Sequence, residues 1–225
     1  MTAASGRPGL VEKAPPGLHD AAFALLCRFA PPPGRVLDLG GGTGAWASRL
    51  HSAGYLVTPV DIDSASWALD SIPLVECDLN CAFADRLGGP FDAITGLEVI
   101  EHLENPWLFL RECRKLVSDA GPILLTTPNI ENVAGRLRFL LTGQIRQFDR
   151  EPRWNEPTHI TPIQSYLFEK MYTGARLALV WHGFTRPTES TPGYLKRLLL
   201  RLLRPLVKGV TGGDHHVFVL RRDRS

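Results

Sequence analysis

Residues 35–39, Arg-Val-Leu-Asp-Leu, read as a short buried strand that runs straight into Gly40-Gly41-Gly42-Thr43-Gly44 and then into a helix from about residue 45 to 53. A buried strand, a glycine turn and a helix in immediate succession make the opening unit of a parallel sheet, and no other stretch narrows the choice of fold so far. The rhythm repeats. Strands are predicted over 55–60, 74–77, 91–95 and 123–127, with helices over 64–71 and 106–117 and a short segment at 81–87 between them. Five strands alternating with helices imply a doubly wound α/β fold, mostly parallel, with both faces covered.

A helix over 19–30 precedes this unit and stops at Pro31-Pro32-Pro33-Gly34. Thr161-Pro162 offers an N-cap and a first-turn proline for a helix running to about 175, and strands over 177–182 and 217–221 close the chain as an edge hairpin. With 225 residues, 44% of them hydrophobic, one well-buried domain over 1–225 is expected, behind a flexible start at 1–17. Two long interruptions stand out, a lid insertion at 131–160 and a basic amphipathic insertion at 193–209. Loops of that length in a compact domain usually cover or bind something.

A net charge of +2 is too small to argue for nucleic acid without a local cluster. The four cysteines form no C-x-x-C pair, which argues against structural zinc and for small buried thiols in a reducing cytosol. No stretch reaches the apolar length of a bilayer span and the first residues lack a signal-peptide core, so the expected location is cytoplasmic, peripheral to a membrane at most.

In an open parallel sheet, ligands bind at the carboxyl ends of the strands where the strand order reverses. Gly40, Gly42 and Gly44 let the backbone turn and approach a ligand closely. A glycine turn alone also satisfies a loose dinucleotide fingerprint, and its neighbours separate the readings. Asp38 would repel a pyrophosphate and attract the ammonium of a methionine moiety. Asp61, at the end of the second strand, is placed for ribose hydroxyls, and Asp78, at the end of the third, for an adenine amino group. Three acids at successive strand tips fit a cationic nucleoside.

Val36-Leu37-Asp38-Leu39-Gly40-Gly41-Gly42-Thr43-Gly44, Val60-Asp61-Ile62-Asp63, Cys77-Asp78-Leu79 and the run from Phe91 to Leu103 containing Glu98-Val99-Ile100-Glu101-His102 resemble, in that order, the motifs of class I S-adenosylmethionine-dependent methyltransferases. The resemblance runs from about Arg35 to Arg222. It implies a seven-stranded Rossmann-like sheet with an antiparallel last strand, and S-adenosylmethionine held by Asp38, Gly40, Gly42, Gly44, Asp61, Ile62, Asp78, Leu79 and Glu98.

Glu98, Glu101 and His102 follow the fourth strand, beside the expected position of the methyl group, and their spacing lets them converge on one turn. Either His102 acts as a metal-free base, with Glu101 and His159 as catalytic partners, or Glu98, Glu101, His102 and His159 bind Mg2+ or another divalent ion that acidifies an acceptor hydroxyl. A further alternative gives Glu101 and His102 a helix-capping role and His159 a loop hydrogen bond. Glu-x-x-Glu-His with a downstream His resembles magnesium-dependent small-RNA 2′-O-methyltransferases, and its first part resembles the ubiquinone-pathway O-methyltransferases, which with glycan-modifying relatives are the nearest in kind.

The lid carries Val133-Ala134-Gly135-Arg136-Leu137-Arg138-Phe139-Leu140-Leu141 and, beyond it, Phe148 and Trp154, suited to an apolar acceptor or a bilayer surface. In the second insertion Arg197, Arg201, Arg204 and Lys208 fall on one helical stripe and Leu195, Leu199, Leu202 and Leu206 on another, as far as Pro205 allows a helix. That pattern suits an anionic membrane interface, ordinary packing, or RNA phosphate. The expected activity is methyl transfer to an oxygen of a small-molecule, glycan or lipid-linked acceptor. The rivals are RNA 2′-O-methylation, a nicotinamide-dependent oxidoreductase, and a non-catalytic module that keeps the cofactor.

Overall fold

The computed structural model describes residues 9–148, 159–185, 205 and 208–224. The helices are α1 (Leu18–Phe29), α2 (Ala45–Ser52), α3 (Ala84–Leu87), α4 (Pro106–Leu116), α5 (Val133–Thr142) and α6 (Ser165–Gly174). The strands are β1 (Arg35–Leu39), β2 (Leu56–Asp61), β3 (Val75–Glu76), β4 (Ala93–Leu97), β5 (Ile123–Pro128), β6 (Leu177–Phe184) and β7 (His215–Arg222). They form one seven-stranded sheet in the order β3-β2-β1-β4-β5-β7-β6. Pairing is parallel from β3 to β5, while β7 runs antiparallel between β5 and β6. The doubly wound reading is therefore correct, and the last two strands form the expected antiparallel pair at the sheet edge, β6 outermost and β7 against β5.

The parallel strands carry unbroken apolar runs because both of their faces are covered. β5 is buried at every position from Ile123 to Pro128. One core, containing Leu37, Leu39, Ile94, Phe109, Leu110 and Phe168, lies on the side of α4 and α6. The other, containing Val36, Trp46, Leu50, Leu124 and Val219, lies on the side of α1 and α2. The chain leaves β1 toward β2 on one side and later returns to β4 on the other, so the β1/β4 boundary is the switch point. Asp38 and Thr95 are register partners there, close to the carboxyl ends of their strands.

Three local expectations are corrected. The helix expected at 64–71 is a single 3-10 turn, Ser64–Ser66: Asp63 Oδ1 caps it by accepting from the N–H groups of Ala65 and Ser66, and the Trp67 indole then donates to the carbonyls of Leu69 and Ile72. Those side-chain bonds hold the chain in an irregular path that a helix would break. Thr161-Pro162 does not start α6, which begins at Ser165. Thr161 instead spends its N–H on the Glu101 carbonyl and its hydroxyl on the Leu103 carbonyl, and Glu131 accepts from both the N–H and the hydroxyl of Ser165 at the positive end of the helix. The fourth strand begins at Ala93, because Phe91 pairs only as an isolated bridge with Val117.

Candidate active site

The carboxyl ends of β1, β2 and β4 carry the glycine turn and the acids. Each glycine of the turn has its own reason. Gly40 sits at φ +80, and a Cβ there would stand 2.3 Å from Val99 Cγ2, so only glycine lets Val99 pack against the turn. Gly44 is likewise left-handed, at φ +96, and a Cβ there would meet Leu69 Cδ1 at 2.8 Å. Gly42 is open on that side, with the Lys13 side chain nearest at 3.9 Å, and its N–H donates to Asp61 Oδ2 at 2.8 Å. The other Asp61 oxygen accepts the Asp63 N–H at 2.9 Å.

Asp38 is 2% exposed. Trp46 Nε1 donates to Thr95 Oγ1 at 3.1 Å, Thr95 donates on to Asp38 Oδ1 at 3.3 Å, and Asp38 Oδ2 is buried with no hydrogen-bond partner. Burial pushes this carboxyl up to about 7, against the opposing pull of the Thr95 hydrogen bond. An acid so placed gains from a cation delivered to its bare oxygen, as the ammonium of a methionine moiety would be.

Residues 10–13 also reach this end of the sheet. Val11 both donates to and accepts from Thr43 Oγ1, at 3.1 and 2.8 Å, tying the chain ahead of α1 to the glycine turn. Val11, within the start expected to be flexible, is in this way fastened to the glycine turn.

The remaining expected cofactor residues are less uniform. Asp78 is half-buried and one of its oxygens accepts the Asn80 N–H at 2.8 Å. Ile62 is 65% exposed, while Leu79 is packed into the core beside Leu37 and Val60.

Beyond β4 the structure divides the two glutamates. Glu98 is in the left-handed region at φ +56, and its carboxylate is held at both ends. Thr126 donates to Oε1 at 2.8 Å, and His215 Nε2 stands 3.3 Å from Oε2. Glu101, in the 3-10 turn Ile100–His102, is fully buried with neither carboxylate oxygen hydrogen-bonded. Burial, reinforced by the charge of Glu98, holds the Glu101 carboxyl well above its usual range.

Glu101, His102 and His159 come together, with one ligand-capable atom from each within 4.8 Å of the others. The imidazoles of His102 and His159 meet edge to face at 4.7 Å, and Phe148 closes over His159 at 5.2 Å. Burial lowers His159 to about 4, so near neutral pH it presents a neutral imidazole. The lid return explains the meeting, because the N–H groups of Ile160 and Thr161 both donate to the Glu101 carbonyl at 2.9 Å. Glu98, expected in the same set, lies outside this group because Thr126 and His215 hold it elsewhere. The capping alternative for Glu101 and His102 does not hold, since Asn105 caps α4 through the Leu108 N–H.

His215 is the site residue the sequence reading missed. Its only signal was the Asp-His-His run entering the last strand, and nothing local says that this strand pairs with β5, opposite Pro128, next to Glu98. A cavity of about 620 Å³ lined by residues that include Asp85, Lys115, Asp119 and Arg222 lies at the other end of the sheet, away from these groups.

Residues 16–177 match the methyltransferase domain family. This chain belongs to that family. Among curated methyltransferases it is 31% identical over 103 residues to the ubiquinone biosynthesis O-methyltransferase of Dechloromonas aromatica, covering 42% of this chain and 44% of the relative. It is 32% identical over 103 residues to the protein of the same name in a Caulobacter species, covering 42% and 41%. The match thus spans less than half the length of these relatives. In fold, the methyltransferase domain is similar to a SAM-dependent methyltransferase from Archaeoglobus fulgidus, with a TM-score of 0.64 at 18% identity over 91% of this chain and 94% of that one. It is also similar to magnesium protoporphyrin IX methyltransferase from Synechocystis, solved with bound S-adenosylhomocysteine, with a TM-score of 0.58 at 17% identity over 91% and 80%.

Proposed function

We propose that this methyltransferase domain moves a methyl group from S-adenosylmethionine to an oxygen of a small-molecule, glycan or lipid-linked acceptor. What supports the reading is a buried acid with a bare oxygen, Asp38, and a glycine turn braced by Asp61 at the end of β1, with Glu101, His102 and His159 gathered after the adjacent strand β4. Asp38 takes the amino group of the methionine moiety, Asp61 the ribose, and Asp78 the adenine edge. Binding both reactants in line supplies much of the rate in a displacement at a sulfonium methyl.

The bare, buried Glu101 carboxylate and its two imidazole neighbours fit a divalent cation, which would be held by Glu101, His102 and His159. Such an ion, when bound, acidifies a coordinated hydroxyl. His102, half-exposed beside the group, is placed to take the acceptor proton.

An apolar or lipid-linked acceptor is supported by α5, whose end presents Phe139, Leu140 and Leu141 at 55, 80 and 73% exposure. The same helix is joined to the end of the basic insertion, as Arg136 donates to the carbonyls of Lys208 and Val210. The stripes expected at 193–209 otherwise lie outside the described residues, as does Trp154. No helix among the described residues is long and apolar enough to cross a membrane.

Calorimetry with S-adenosylhomocysteine, followed by mass spectrometry of a cell extract incubated with the protein and isotope-labelled S-adenosylmethionine, tests the reading. The expected result is binding and a methyl-labelled small molecule or lipid. Label found in RNA would transfer the assignment to RNA 2′-O-methylation, and binding without any labelled product would make this a non-catalytic module.

A further inference from the structure

We propose that His215 is a positioning residue: resting on the methyl-transfer reading above, it orients the Glu98 carboxyl group beside the cofactor sulfonium and keeps it apart from Glu101, His102 and His159. Four observations converge. Glu98 lies at the tip of β4, next to Val99, which packs against Gly40 of the glycine turn, and so stands at the switch-point crevice. Its backbone is committed, with φ +56 and the N–H donating to Thr126 Oγ1 at 2.9 Å, so only the side chain needs a second anchor.

The ring of His215 can supply that anchor in one tautomer. Thr185 Oγ1 accepts the His215 backbone N–H at 3.2 Å and lies 3.5 Å from Nδ1, leaving its own proton to point at Nδ1. Nε2 then carries the ring proton and faces Glu98 Oε2 at 3.3 Å. The His215 side chain is 4% exposed, so water does not compete for this bond.

The lid leans on the residue before His215. Arg146, next to the lid helix, pairs with Asp214 at 2.9 Å. The strand entrance thus holds a loop residue through Asp214 and Glu98 through His215, from adjacent positions.

A carboxylate held by two donors stabilises a positive sulfonium and is indifferent to the neutral thioether left after transfer. The test is the ratio of affinities for S-adenosylmethionine and S-adenosylhomocysteine, measured by calorimetry on the full chain. In His215→Leu the preference for the sulfonium should shrink by about threefold or more relative to wild type, and in His215→Gln, whose amide can again donate, it should return toward the wild-type ratio. In Glu98→Gln the ratio should already be reduced, and adding His215→Leu should change it no further.

A merely structural role would weaken both ligands alike and leave the ratio unmoved, and that result overturns the proposal. So does a further loss in the double variant, which would show that His215 acts other than through Glu98. If the wild-type protein binds neither ligand, the methyl-transfer reading fails and this inference falls with it. Normal binding of both with an unmoved ratio removes the inference alone.

Discussion

Asp61 and Gly42, 19 residues apart, are joined by a 2.8 Å hydrogen bond from the glycine N–H to the carboxylate. The acid at the tip of β2 therefore shapes the turn as well as facing the crevice. Asp61→Ala should cost about 1 to 2 kcal/mol in urea unfolding and weaken S-adenosylhomocysteine by about tenfold or more. Asp61→Asn, which keeps an acceptor for the Gly42 N–H, should recover most of the stability and less of the affinity. Equal loss of both in the two variants would remove the distinction between bracing and binding.

At Gly40 two costs add, a left-handed backbone and a collision with Val99. Gly40→Ala should destabilise by about 2 to 4 kcal/mol, against about 1 kcal/mol for Gly42→Ala, where the φ is positive but the space is open. Shortening the obstacle in Gly40→Ala/Val99→Ala should return part of the loss. Denaturant midpoints of the four proteins decide this.

Asp38 ties stability and binding to pH. Its folded value of about 7 lies above the ordinary 3.8, so the folded state holds this proton more tightly, and the stability linked to it is present in acid and lost as pH rises between those values. The full effect is up to about 4 kcal/mol. Asp38→Asn should therefore unfold with a flatter dependence on pH and be more stable than wild type at pH 8. A bound ammonium would return Asp38 to the ionised form, so near pH 6.5 cofactor binding should release a fraction of a proton, seen as a buffer-dependent calorimetric heat. Asp38→Asn should show none and bind weakly.

The group at Glu101 separates chemistry from cofactor binding. His102→Ala should abolish methyl transfer while leaving S-adenosylhomocysteine affinity within about twofold of wild type. Surviving turnover would rule out His102 as the group that handles the acceptor proton. Titration with Mn2+ should find one site in the wild-type protein and none in Glu101→Gln or His159→Ala. Unchanged Mn2+ binding in both variants would remove this group as the cation site.

What the sequence made legible is what period and punctuation encode. The β1-turn-α2 unit could be read because a buried apolar strand, a glycine turn and an amphipathic helix are each local patterns. Asp38, Asp61, Glu101 and His102 could be placed at strand tips for the same reason. Glu98 could be placed at its tip, but whether it joins Glu101 depends on a hydroxyl from β5 and an imidazole from β7, more than a hundred residues further on in the case of His215. The failures at 64–71 and at Thr161 have different causes: at 64–71 the Trp67 indole binds nearby carbonyls, while Thr161 is tied to the carbonyls of Glu101 and Leu103 in a distant segment. His182 and His216 were equally invisible. Their nitrogens meet at 3.0 Å only because β6 pairs antiparallel with β7.

The two ends of the long connection between β6 and β7 are both fixed near the candidate site. Thr185 is bonded to the backbone and ring of His215, while Arg136 on the lid helix fastens the carbonyls of Lys208 and Val210. The chain is thus fastened by side chains both where it leaves β6 and where it returns toward β7.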